Sequence, residues 1–126
     1  MRRILVLAAL LIGFQIQAAP GEISGQITLA KGVELKPGGA LFVIAKEAGR
    51  PMPVAVLRLL EPKFPVNFSL SSKNAMVAGT PFKGSYIVSA RYSPSGDAMD
   101  KSGPEGVEDK PVAVGRADLK LELKAK

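Results

Sequence analysis

The chain contains no histidine, no cysteine and no tryptophan. Without histidine there is no imidazole to act as a general base near neutral pH or as the commonest metal ligand. Without cysteine there is no thiolate nucleophile, no thiolate metal site and no disulfide. A serine hydrolase would then need a lysine base, yet no serine opens an S-x-x-K motif and no G-x-S-x-G occurs. The glycine-rich phosphate cradles, G-x-G-x-x-G and G-x-x-x-x-G-K-[ST], are missing too. These gaps leave little with which to transform a substrate. The expectation is a noncatalytic protein, not an enzyme, with no cofactor, no catalytic residue and no metal site.

Long hydrophobic runs are also scarce, and the one present lies at the start. Arg2 and Arg3 precede an apolar stretch from Ile4 to Phe14, and Gln15 to Ala19 forms a short polar exit ending in small residues. This is the pattern of a secretory signal peptide. The run is shorter than the roughly 18 to 20 apolar residues a membrane span needs, and no later stretch approaches that length. Residues 1–19 are therefore read as a signal and 20–126 as a single domain, periplasmic or secreted from a bacterium, with no membrane span after cleavage. The missing cysteine excludes a lipid-modified export product. Stability must come from an apolar core.

The chain as a whole has the composition of a folded, turn-rich protein: 47% hydrophobic residues, 22% charged, 13 Gly and 10 Pro in 126 residues. Basic residues are spread singly from Lys31 to Lys126 without runs or interleaved aromatics, which argues against a nucleic-acid partner. Ile23 to Leu29 alternates apolar with polar residues, the period of a half-buried strand. Leu41 to Ala45 is a continuous apolar run entered through Pro37, Gly38 and Gly39, which predicts a strand buried on both faces. Val54–Leu60 reads as its pairing strand, with Arg58 as the single interior charge. Phe64–Leu70, Tyr86–Tyr92, Val112–Val114 and Leu119–Leu123 complete seven strand candidates, and Pro65 pushes its strand to a sheet edge. The fold class is all-β, about seven short strands in a sandwich or small barrel after an N-terminal signal helix.

Between the strands, Ser71–Gly84 reads as a loop with room for one helical turn around Ala75 to Ala78. Ser93–Lys110 reads as a long polar loop of the kind that serves a function or moves. It is locally acidic, but from Asp97 the third and fifth positions are Met99 and Lys101, where a calcium loop needs oxygen donors. Met52, Met76 and Met99 all fall in turn-rich segments. Converging thioethers hold Cu(I), whereas single ones fill gaps or lend adaptable contact to a partner. Arg50, Pro51, Met52 and Pro53 form a rigid corner.

Three segments carry a family resemblance: PGGALFVIAKEAGRPMPVAVLRL (Pro37 to Leu59), FPVNFSLSSKNAM (Phe64 to Met76), and YIVSARYSPSGDAM followed by PVAVG (Tyr86 to Met99, Pro111 to Gly115). In order and spacing they resemble the C-terminal periplasmic domain of the cytochrome c biogenesis factor family, the CycH/CcmI type. In that family the domain follows a membrane anchor and a tetratricopeptide array, and the whole protein hands apocytochrome c to haem ligation. This chain shows only a signal in front and no helical repeat, so the chaperone activity attributed to the array does not transfer.

The resemblance implies a β-rich periplasmic module that contacts other proteins, with apocytochrome c or the maturation machinery as partner. It nominates Arg50, Pro51, Met52, Pro53, Asn74, Met76, Gly96, Asp97 and Met99 as a candidate contact surface. Two other readings stand beside it. One is an envelope or secretion-assembly β-domain factor, which shares the G-x-I-x-L opening at Gly25 to Leu29 and the Y-x-V-x-A strand at Tyr86 to Ala90 but wants a lipidated cysteine. The other is a methionine-based copper carrier.

Overall fold

The computed structural model describes residues 21–125; the expected signal, its helix and the cleavage site lie outside them. Eight strands run in chain order: β1 (Ile23–Leu29), β2 (Ala40–Lys46), β3 (Pro53–Leu60), β4 (Val66–Leu70), β5 (Ser85–Ser93), β6 (Glu105–Val107), β7 (Val112–Ala113) and β8 (Leu119–Leu123). They form two sheets. The smaller has the order β4-β1-β8, with β1 antiparallel to β4 and parallel to β8. The larger runs β3-β2-β5-β6, with β7 paired to one end of β5, and all its pairs are antiparallel.

Alternation decides which side of each strand faces inward. In the smaller sheet Ile23 and Ile27, then Val66, Phe68 and Leu70, then Leu119, Leu121 and Leu123 are buried, while Asn67, Ser69, Lys120 and Glu122 are exposed. Opposite them the larger sheet buries Leu41, Val43, Ala45, Ala55, Val88 and Ala90, and these residues share one core with the first set. Apolar area removed from water on both inner faces is the main term holding the sandwich together. The inner ring of Tyr86 stacks on Phe82 at 4.6 Å between centroids, and its hydroxyl accepts from the Lys83 N–H at 3.1 Å. Tyr92 is similarly anchored: its hydroxyl donates to the Lys36 carbonyl and accepts from the Gly39 N–H, tying the approach to β2 onto β5.

The edge expectation for Pro65 is met. β4 is an edge strand of the smaller sheet and starts at Val66, so the residue that cannot donate to a ladder stands just outside it. β6 is the strand the sequence did not disclose, since it lies inside the segment expected to be one long loop. Only three residues long, it sits between Pro104 and an acidic turn, with Gly106 at its centre. It nevertheless joins the two sheets: the Glu105 N–H donates to the Lys124 carbonyl at 3.1 Å and the Lys124 N–H to the Glu105 carbonyl at 3.0 Å. A Cβ on Gly106 would lie 2.2 Å from the Glu122 carbonyl oxygen, so the close approach requires glycine.

The short helical turn also sits elsewhere than expected, at Ser72–Asn74 and not at Ala75 to Ala78. Reciprocal capping explains the position. The Ser71 hydroxyl accepts from the Lys73 N–H at 3.2 Å, and the Asn74 side-chain oxygen accepts from the Ser71 N–H at 3.0 Å.

Candidate protein-interaction face

The residues of β2 that point away from the core are Ala40, Phe42, Ile44 and Lys46, alternating with the buried Leu41, Val43 and Ala45. Register places Phe42 opposite Arg58 on β3 and Arg91 on β5, and Ile44 opposite Val56 and Ser89. The outer face of the larger sheet therefore carries an apolar centre, Ala40, Phe42 and Ile44 with Val56 packed against them, separate from the main core. Two arginines flank it. The Arg58 guanidinium lies 6.0 Å from the centroid of the Phe42 ring, within cation–π range.

Loops from three parts of the chain meet over this centre. The Ser93–Lys101 segment folds back across the sheet, because Arg91 donates to the Ala98 carbonyl at 2.7 Å and Arg58 to the Gly96 carbonyl at 3.4 Å. Its own side chains shape it. The Ser93 hydroxyl donates to the Asp97 carbonyl at 2.7 Å, and the Asp97 carboxylate accepts from the Met99 N–H at 2.8 Å. The Asp100 carboxylate accepts from the hydroxyls of Ser95 at 2.8 Å and Ser102 at 2.6 Å and from both of their N–H groups. Those donors, Ser102 foremost, hold its carboxyl well below the usual carboxylate range. Met76 arrives from the other side, its N–H donating to the Val54 carbonyl at 2.8 Å.

The result is a recess of about 310 Å³ lined by Phe42, Ile44, Val56, Pro51, Pro53, Met76, Ala98 and Met99, with Lys46, Arg91 and Lys101 as its charged residues. Four of the nine residues nominated from the sequence, Pro51, Pro53, Met76 and Met99, are in that lining. Gly96, Asp97 and Asn74 are outside the lining: the first two lie in the loop that carries Met99, and Asn74 caps the turn that precedes Met76. Arg50 and Met52 lie on the adjoining β2–β3 turn outside the lining, where Arg50 comes within 3.9 Å of Glu47 and Met52 is 72% exposed. Two of the three methionines thus share a recess and the third does not.

Sequence reasoning missed Phe42, Ile44, Val56, Arg58 and Arg91 as parts of this face. The available signal was the unbroken run LFVIA. A strand apolar on both sides needs a cover on both, and only one of the two covers is the opposing sheet. Arg91 has a further peculiarity: its Nε is buried without a hydrogen-bond partner, while its terminal nitrogen serves a neutral carbonyl.

The profile of the cytochrome c-type biogenesis protein H Ig-like domain matches residues 18–124. No curated protein matches the chain. Among solved structures, an alternative pilotin from the type II secretion system of Vibrio cholerae superposes with a TM-score of 0.50 at 15% identity, covering 88% of this chain and all of the pilotin chain. At that identity the likeness concerns the fold alone.

Proposed function

Because the chain belongs to the cytochrome c-type biogenesis protein H Ig-like domain family, we propose that it is a noncatalytic protein-interaction module of c-type cytochrome maturation, exported to the bacterial periplasm. Apocytochrome c or a component of the maturation machinery is its partner. The observation that carries the reading is the recess on the outer face of the larger sheet, where loops bearing the family-like motifs RPMP, NAM and SGDAM supply Pro51, Pro53, Met76 and Met99 around an apolar centre. Exposed methionines at 57% and 78% suit a surface that adapts to a partner. The composition agrees, since a chain without imidazole or thiol is better equipped to hold than to transform. Among the described residues no helix is long and apolar enough to cross a membrane.

The test is deletion of the coding sequence followed by haem staining of c-type cytochromes. Staining should fall and return when the chain is supplied again; unchanged staining overturns the reading. The envelope or secretion-assembly alternative shares its fold with the pilotin. It predicts the opposite pattern, intact staining with impaired secretion.

A further inference from the structure

Three cations border the recess, Lys46, Arg91 and Lys101, and its lining includes no carboxylate. A fourth, Arg58, stands over the Phe42 ring at its floor. Neither guanidinium meets an acidic side chain: the hydrogen bonds of Arg58 and Arg91 go to the carbonyls of Gly96 and Ala98. The nearest acids on the covering loop are turned to that loop's own donors, Asp97 to the Met99 N–H and Asp100 to the serines at 95 and 102. The domain thus presents an apolar cleft with the Lys46 and Arg91 side chains as cations at its rim. Such a rim disfavours a thioether-bound copper cation by like charge and favours a partner that brings carboxylates.

We propose that the recess recognises a short linear segment of a partner protein in which one or two bulky apolar side chains are flanked by aspartate or glutamate. The apolar side chains occupy the space between Met76, Met99 and Phe42, and the carboxylates lie against Lys46 and Arg91. Recognition of this kind divides its labour. Apolar contact with the methionine walls supplies affinity, and charge complementarity fixes orientation and excludes basic segments. The inference rests on the interaction reading above and names the chemistry of the partner segment.

The test titrates the purified full chain, labelled with 13C at the methionine methyls, with three synthetic peptides. One has a central leucine–phenylalanine pair flanked by glutamate and aspartate. The second replaces the acids by lysine, and the third replaces the apolar pair by serine. Met76 and Met99 report the recess and Met52 is the internal control. The acidic apolar peptide should shift Met76 and Met99 and leave Met52 in place, binding at least about tenfold more tightly than either counterpart. Met99→Glu, a change at an exposed side chain that keeps the fold, should weaken it by a similar factor, and added salt should weaken it further.

Equal binding of the lysine peptide overturns the charge assignment. Shifts confined to Met52, or no shifts at all, overturn the site. Shifts produced by dilution of the chain alone, or by phosphatidylglycerol vesicles but not by peptide, assign the recess to a second copy or to lipid and overturn the proposal. If peptides fail while haem staining still depends on the chain, the partner chemistry named here falls and the maturation role stands; if staining is independent of the chain while the acidic peptide binds, the recess assignment stands and the maturation role falls.

Discussion

The two sheets of this sandwich turn similar faces to each other and dissimilar faces to the outside. The smaller sheet shows the solvent Asn67, Ser69, Lys120 and Glu122, with Ser24 and Gln26 half-buried between them. The larger sheet carries Ala40, Phe42, Ile44 and Val56 in the same positions and covers them with a folded-over loop. An outer face that is polar needs only water. One that is apolar needs a lid, and the lid leaves a recess of about 310 Å³ with methionine walls. A sandwich can be stable with two solvated outer faces, so the second apolar centre is an addition to what folding requires. It is the feature on which the proposed contact surface rests.

The core that both sheets share is where a substitution costs most. Leu41→Ala or Leu121→Ala should each cost about 2–5 kcal/mol in urea unfolding, since both side chains are fully or almost fully buried between the sheets. Gln26→Ala, on the polar outer face, should change stability by no more than about 0.5 kcal/mol. Equal losses at Leu41 and Gln26 would mean that the inner and outer faces are wrongly assigned.

These differences were legible in the sequence to an uneven degree. Strict alternation in β1, β4 and β8 showed one wet and one dry side directly, because a period of two maps residue by residue onto faces. The run LFVIA in β2 showed double burial but not what supplies the second cover, which comes from a loop about fifty residues later in the chain. The positions proposed for contact fell in loops that meet in space, and Met76 and Met99 converge while Met52 does not. Convergence of this kind depends on Arg58 and Arg91 reaching to the Gly96 and Ala98 carbonyls, a long-range pairing with no local pattern. β6 was invisible for a related reason. Its three residues, Glu105, Gly106 and Val107, have neither the length nor the apolar content of a strand, and backbone pairing to β5 and to Lys124 alone makes them one.

That pairing is the next place to press. Gly106→Ala drives a Cβ against the Glu122 carbonyl and should cost about 1–3 kcal/mol, with amide protection lost first at Glu105 and Lys124, where β6 holds the two sheets together. Retained protection there would show that the seam tolerates a side chain. Ile44→Ala separates the outer apolar centre from the core. Ile44 is 8% exposed and borders the recess, so the expected loss is about 2 kcal/mol, the low end of the range for buried truncations, and peptide binding should fall with it. A loss as large as that at Leu41 would make the outer centre part of the folding core and weaken its claim to be a contact surface.

The smallest effect concerns the lid. Asp100 is held ionised by the hydroxyls and N–H groups of Ser95 and Ser102, and its carboxyl is depressed below the ordinary carboxylate value. A depressed carboxyl favours the closed loop above the pKa it has when the loop opens, and that preference is lost as the pH falls through the ordinary carboxylate range toward the lowered value. Acidification should therefore loosen the loop only under strongly acidic conditions, while near neutral pH its shape is independent of pH. Because Asp100 touches the lid and not the core, Asp100→Asn should leave the urea midpoint unchanged. It should shift the Met99 methyl resonance and reduce exchange protection at Ser102, whose N–H then faces a neutral oxygen in place of a carboxylate. An altered urea midpoint with an unmoved Met99 signal would reverse the distinction, making the loop a structural strap of the sandwich and not a separate wall of the recess.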